Sequence, residues 1–235
     1  RNISIVDSIN HQIQEISSFY NQNSNIFKSH TLFISFHKVG SNSSGLLFSS
    51  KFERNAIASN TEINFLLGNL VNEGQYNNQP IFELKHKDNI LFVSFKDEIV
   101  FFSENKMLVE DAIRASVSED KLLFNPSFNS AYKTISKSAE INLFFNYNSL
   151  IEYTNIFTNK SILNSNFSGW TATDLSVRNK IIAANGFSTF NNDIINYTDV
   201  FNNQKAQCIN IVDIIPESTT LLLSIGFDNS KKLLD

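Results

Sequence analysis

Three short apolar runs, "PIFELKH", "NILFVSF" and "EIVFFSE", follow one another between Pro80 and Glu104, separated only by Lys87-Asp88 and Lys96-Asp97. Parallel strands need a crossover of a dozen or more residues, so runs joined this tightly can pair only as an antiparallel meander. A chain built around that meander is committed to a sheet whose neighbours are local in sequence. Its remaining segments must either extend the sheet or cover its faces.

Upstream, "HTLFISFHKV" places Leu32, Ile34 and Phe36 on one face of a strand. The run "GSNSSG" (Gly40–Gly45) turns the chain into "LLFSSKF", giving a hairpin with a longer loop. Before it, Ser4 and Asp7 resemble a capping box, and Ile5, Ile9, Ile13, Ile16 and Tyr20 recur at helical spacing until the polar run Asn21–Asn25. Ile63, Leu66, Leu67 and Leu70 predict a second helix, stopped by Gly74.

After the meander, "NKMLVEDAIRASV" reads as helix. Asn125 is a good N-cap for another, with Pro126 at the first helical position and Phe128, Ala131, Tyr132 and Ile135 as its apolar stripe. "INLFFNY" predicts a strand, and Ser149 with Glu152 caps a helix through Phe157. "GWTATDLSVRNKIIAANGFSTF" (Gly169–Phe190) alternates as a hairpin turning at Asn179-Lys180. "NDIINYTDVF" is expected to be a short helix and "ESTTLLLSIGF" a closing strand.

Few strands alternate singly with helices, which disfavours a doubly wound parallel sheet. The expected fold is α+β, with mostly antiparallel sheets of about eight to ten strands and about five to seven helices packed on them. Residues 1–235 form one domain or two similar, tightly packed lobes, with a boundary near 118–138. "TLFISF", "INLFFNY" and "TLLLSIGF" look alike but recur at no fixed period, which excludes a solenoid and leaves at most an old duplication.

Composition narrows the function classes. The net charge is −4, and no stretch gathers Lys and Arg into a basic stripe. A nucleic-acid groove is not expected, because phosphate neutralisation supplies most of that affinity. No apolar run approaches the roughly 18–20 residues that cross a bilayer as a helix, so no transmembrane segment is expected. The 33 asparagines and 22 phenylalanines share AT-rich codons with Ile and Lys, which explains much of their excess without a function. The five N-x-[S/T] sequons, at Asn2, Asn42, Asn159, Asn166 and Asn196, are what such a composition yields by chance.

The residues that carry chemistry are sparse. Cys208 is the single cysteine, which rules out an internal disulfide and a cysteine-based metal cluster; its apolar surroundings predict a buried, unreactive thiol. His11, His30, His37 and His86 have no metal-ligand spacing. Ser-x-x-Lys occurs at Ser35/Lys38, Ser118/Lys121 and Ser130/Lys133, about as often as chance provides, and no K-[S/T]-G strand accompanies it. The doublets Asp97-Glu98, Glu110-Asp111 and Glu119-Asp120 suit solvated surface better than an acid/base couple. Trp170 reads as core or rim rather than a sugar platform, and the Phe excess as core rather than the lining of a lipid cavity. No catalytic, metal or cofactor-binding residue is assigned, no cofactor is expected, and hydrolytic turnover is not expected.

The series "LVEDAIRASVSEDKLLFNPSFNSAYKTISKSAEINLFFNYNSL", "GWTATDLSVRNKIIAANGFSTF" and "VDIIPESTTLLLSIGF", preceded by "FISFHKVG" and "LLFSS", resembles an uncharacterised extracytoplasmic family of Bacteroidetes. The likeness implies long proteins with an N-terminal membrane anchor or lipoprotein signal and a β-propeller-like region toward the C-terminus. It implies that this chain, which starts at Arg1, is an internal domain of an envelope protein, in the periplasm or at the cell surface, anchored through a segment outside this chain. Partners would be other envelope proteins or domains of the same full-length chain. The family brings no activity and no functional residue. The expected role is a non-enzymatic scaffold or protein-interaction module; a carrier of a lipid or other apolar ligand, and a hydrolase whose site sequence does not reveal, are the alternatives.

Overall fold

A computed structural model of the chain describes residues 3–22, 31–40, 43–51, 70–86, 89–119, 121–150, 169–189, 201, 204–208 and 212–229. The chain divides into two compact units, Arg1–Lys121 and Leu122–Asp235. The fold is α+β, with two antiparallel sheets.

In the first unit, helix α1 (Ile3–Gln22) precedes strands β1 (Leu32–Val39) and β2 (Ser43–Lys51). Strands β3 (Leu70–Tyr76), β4 (Gln79–His86), β5 (Asn89–Lys96) and β6 (Ile99–Ser103) form the expected meander, and helix α2 (Lys106–Val117) follows. The six strands are ordered β1-β2-β6-β5-β4-β3, so the β1–β2 hairpin adds to the meander through β2 on β6.

The turns carry the residues that such geometry demands. Asn77 and Asn78 join β3 to β4 at φ of 46° and 62°, and Asp97 turns β5 into β6 at 56°. These left-handed conformations are ones that Asn and Asp tolerate better than other side chains. The β1–β2 turn is tighter than expected: Gly40 sits at φ 66°, β2 begins at Ser43, and Gly45 lies inside the strand. A Cβ on Gly45 would stand 3.0 Å from Leu108 Cδ1 of α2, so its bare backbone lets the helix approach the sheet.

Period-two alternation sorts the strand residues onto two faces. Leu46, Phe48, Leu84, Leu91, Val93, Val100 and Phe102 pack with Ile16 and Phe19 of α1. On the opposite face, Ile81 packs with Val109 and Ile113 of α2, with Tyr76 and Phe92 beside them. The buried hydroxyls are satisfied by backbone: Ser94 donates to the Pro80 carbonyl at 2.9 Å and Ser103 to that of Leu46 at 2.7 Å. Ser103 Oγ also accepts from Asn105 N, and the Asn105 side chain accepts from Met107 N at 3.0 Å to cap α2.

In the second unit, a 3₁₀ turn (Leu122–Phe124) leads into helix α3 (Pro126–Tyr132). Strands β7 (Ile141–Asn146), β8 (Trp170–Arg178) and β9 (Ile181–Ser188) form a three-stranded sheet in that order. Asn125 Oδ1 accepts from Phe128 N at 2.9 Å, the expected cap. Asn179 and Lys180, at φ of 51° and 65°, make the expected two-residue turn. Phe128 meets Trp170 edge-on at 4.9 Å and lies 5.3 Å from Phe144, which fixes α3 on the sheet.

Several expectations are corrected. Among the described residues, α1, α2, α3 and a helical turn at Tyr147–Leu150 are fewer helices than five to seven. The sheets, of six and three strands, are unlike each other rather than two similar lobes. Leu70 heads strand β3, which runs through Gly74 instead of ending a helix there. Edge pairing with β4 wins over the apolar spacing, and Gly74 marks a bulge whose N–H donates to Asn72 Oδ1 at 2.9 Å. The rest of that predicted helix, the helix continuing to Phe157, and all of "NDIINYTDVF" but Phe201 lie outside the described residues.

The segment Glu217–Phe227 is not a strand, and Leu221, Leu222, Leu223 and Ile225 are exposed. An apolar run alone does not make a strand without a ladder partner. The chain just beyond this segment is tied instead by one side chain: Gln204 Oε1 accepts from Asp228 N at 3.0 Å and from Asn229 N at 3.2 Å. Helix α3 stops before Ile135, which turns Tyr132 outward: it is 43% exposed, whereas Phe128 is 6% exposed and Ala131 is 0%.

This difference sets a stability prediction. Phe128→Ala should cost about 3–5 kcal/mol, as emptying a buried aromatic site does. Tyr132→Ala should cost only about 1–2 kcal/mol, because the residue is already 43% exposed and loses only its contacts with Phe128 and Phe144. Urea unfolding of the two variants checks the order; equal losses would place Tyr132 in the core.

Candidate functional site

Serine and histidine come together once among the described side-chain hydrogen bonds. Ser35 and His37 are two residues apart on β1, so they share one face, and Ser35 Oγ lies 2.7 Å from His37 Nε2. The face is the one covered by α2, whose Asp111 exerts a favourable electrostatic pull on His37. The trio has the residue types of a hydrolytic triad, and its chemistry has to be tested against the hydrogen bonds.

Ser35 Oγ is also 3.3 Å from the Leu47 carbonyl, which can only accept. Both contacts hold together when the hydroxyl donates to Leu47 and Nε2–H donates to Oγ. In that arrangement the imidazole is not positioned as the base of the serine. Asp111 in turn is held by Arg114, one turn along α2, at 2.7 Å. Burial holds His37 below the ordinary histidine pKa against the smaller opposite pull of Asp111, so the ring stays neutral near pH 7. With its hydroxyl given to Leu47, Ser35 buttresses an edge strand rather than serving as an activated nucleophile.

The other sequence candidates are dispersed. Lys38 points to the face opposite Ser35, as residues three apart in a strand do, so that Ser-x-x-Lys match is not a site. Ser130 Oγ donates to the Pro126 carbonyl within α3 at 2.8 Å. Asp97 occupies a turn, and Glu98 pairs with Lys51 at 2.8 Å on the surface. His11 lies on α1 and His86 at the end of β4; His30 and Asp120 lie outside the described residues. Among the described residues no group of three His, Cys, Asp or Glu side chains could hold a metal ion.

Cys208 is exposed, which corrects the expectation of a buried thiol. It sits in an irregular segment whose neighbours Lys205, Ala206 and Gln207 are also exposed. Apolar residues next in sequence do not bury a side chain unless the segment itself packs.

Polar side chains in the second unit serve the scaffold. Asp174 accepts from Ser136 N at 2.8 Å and from Asn142 Nδ2 at 2.7 Å, tying the loop after α3 to β7 and β8. Ser127 and Thr189 share a hydrogen bond of 2.6 Å, and Thr189 Oγ1 accepts from Trp170 N at 3.1 Å. Trp170 is thus edge-packed and anchored, as a scaffold residue.

What the second sheet does present is an edge. All eight residues of β9, "IIAANGFS", are exposed, none is charged, and the register with β8 is unbroken. Among the described residues no strand pairs with its outer side. Proteins usually blunt such edges with charge, proline or a bulge. The two edges of the first sheet follow that practice: β1 carries His37 and Lys38, and β3 carries its bulge and Glu73, paired with Lys106 at 3.1 Å. β9 was legible as a strand, but its edge position depends on sheet order.

No family model matches the chain, and comparison with curated proteins and with solved structures yields no match either. No helix of the described residues is long and apolar enough to cross a membrane.

The neutral, half-buried His37 predicts a pH dependence. Its folded pKa is depressed, so the stability it allows is present above the unfolded value of about 6.5 and is lost as pH falls through the folded value. Between pH 7.5 and 5 the urea midpoint of the protein should fall more than that of His37→Gln. Parallel falls would show that His37 titrates alike in the folded and unfolded chains.

Proposed function

We propose that the protein is a non-enzymatic domain of the cell envelope that acts as scaffold and protein-interaction module, using β9 to accept an extended strand from another envelope protein. The observation that carries this reading is the uncharged, unbulged, eight-residue edge. Strand addition draws affinity from main-chain hydrogen bonds and specificity from alternate side chains. Ile182, with Val177 directly opposite it on β8, offers such contacts on one face and Phe187 on the other, all being exposed. The envelope location rests on the resemblance of the sequence motifs, which also points to a membrane-anchored or lipoprotein parent chain. The closed hydrogen bonding around Ser35 and His37 favours this role over hydrolysis.

The test is a photo-crosslinking amino acid at Ile181 in the full-length protein in its own envelope, with Ser138 as an exposed control. The reading predicts a discrete protein adduct from position 181, mapped to an extended segment of the partner and lost when Ile182→Lys is added. Equal adducts from both positions, or an adduct indifferent to Ile182→Lys, would contradict it.

A further inference from the structure

On the α1 face of the first sheet, Val100 and Phe102 are followed two residues later by Glu104, where the apolar row of β6 reaches its corner with α2. Alternation puts Glu104 on the face that α1 covers. α1 answers with His11, Glu15 and Phe19, successive positions of one helical stripe. Phe19 packs edge-on against Phe102 at 5.6 Å, so the stripe is seated on the sheet there. Two carboxylates therefore close the end of an apolar contact between helix and sheet.

Glu104 Oε1 is buried without a hydrogen-bond partner among the described residues. A buried carboxylate oxygen left in this way costs far more charged than protonated. Desolvation raises its pKa first; the charge of His11 opposes this and that of Glu15 adds to it. These are the charged groups of α1 that act on it. On its own side, Lys106 of α2 is engaged with Glu73 of β3.

We propose that the Glu104, Glu15 and His11 junction is a pH-responsive latch that holds α1 on the sheet in mildly acidic surroundings and loosens it as the pH rises. A group whose folded pKa is raised stabilises the docked state most below its unfolded value. That contribution is lost as pH rises from there through the folded value. His37 acts in the opposite sense on the other face of the sheet, so global stability would blur the effect and a local readout is required.

Hydrogen exchange of the α1 amides, with intrinsic rates corrected for pH, supplies that readout. Between pH 5 and 8 the protection of Ile16–Tyr20 should fall at least about threefold relative to that of β5, and Glu104→Gln, which cannot ionise, should abolish the trend. Glu15→Gln should weaken the trend, and it carries the test if Glu104→Gln does not fold. A pH-independent ratio in the wild type overturns the latch, as does an unchanged trend in a folded Glu104→Gln or, failing that, in Glu15→Gln.

Discussion

Phe102, 0% exposed, is the residue on which the larger sheet depends. It stands on β6 between Phe48 of β2 and Val93 of β5, and the same row continues to Ile34 on β1 and Phe82 on β4. Its ring stacks on Phe48 at 5.5 Å and meets Phe19 of α1 edge-on. One side chain therefore joins the two parts of the sheet that the chain makes separately, the hairpin and the meander, and seats the covering helix on their junction. Aromatic contacts of this kind add about 0.5–1.5 kcal/mol each to the area they bury. The satisfied Ser103 and Ser50 hydroxyls flank the same β2–β6 seam, donating to backbone carbonyls. The seam thus combines apolar burial with paired serine hydroxyls.

The smaller sheet follows the same logic at smaller scale. Phe128 of a short, well-capped helix fills the place that Phe19 fills in the larger one, against Trp170 and Phe144. Three strands bury less than six, and the exposed Ile181, Ile182 and Phe187 are the consequence. The absence of charge along β9 makes that exposure an opportunity for strand pairing as well as a liability. The proposed interaction role follows from this contrast between a sheet whose edge strands carry charge or a bulge and one whose edge carries neither.

What the sequence discloses is what local physics determines. The meander and the Asn179-Lys180 hairpin are legible because alternation and turn residues act within a few positions. The cap at Asn125 is legible for the same reason. The pairing of β2 with β6 is not, since it joins residues about fifty positions apart and only packing selects it. Tertiary context also overrides local pattern at Leu70, drawn into an edge strand, and at Leu221–Leu223, where an apolar run finds no ladder. Tyr132 and Cys208 fail as core residues because their segments end or stay irregular before the next apolar position. Of the candidate site, the two-residue spacing of Ser35 and His37 was readable as a shared strand face, whereas the approach of Asp111 depends on how α2 packs.

The assembly of the first unit around the β2–β6 seam is the central claim, and Phe102→Ala tests it most directly through hydrogen exchange resolved by strand. The account predicts that β2, β5, β6 and α1 all lose protection together, by about 3–5 kcal/mol, while β8 keeps its own. Loss confined to β6, or a change under about 1 kcal/mol, would contradict the account and move the centre of the unit elsewhere.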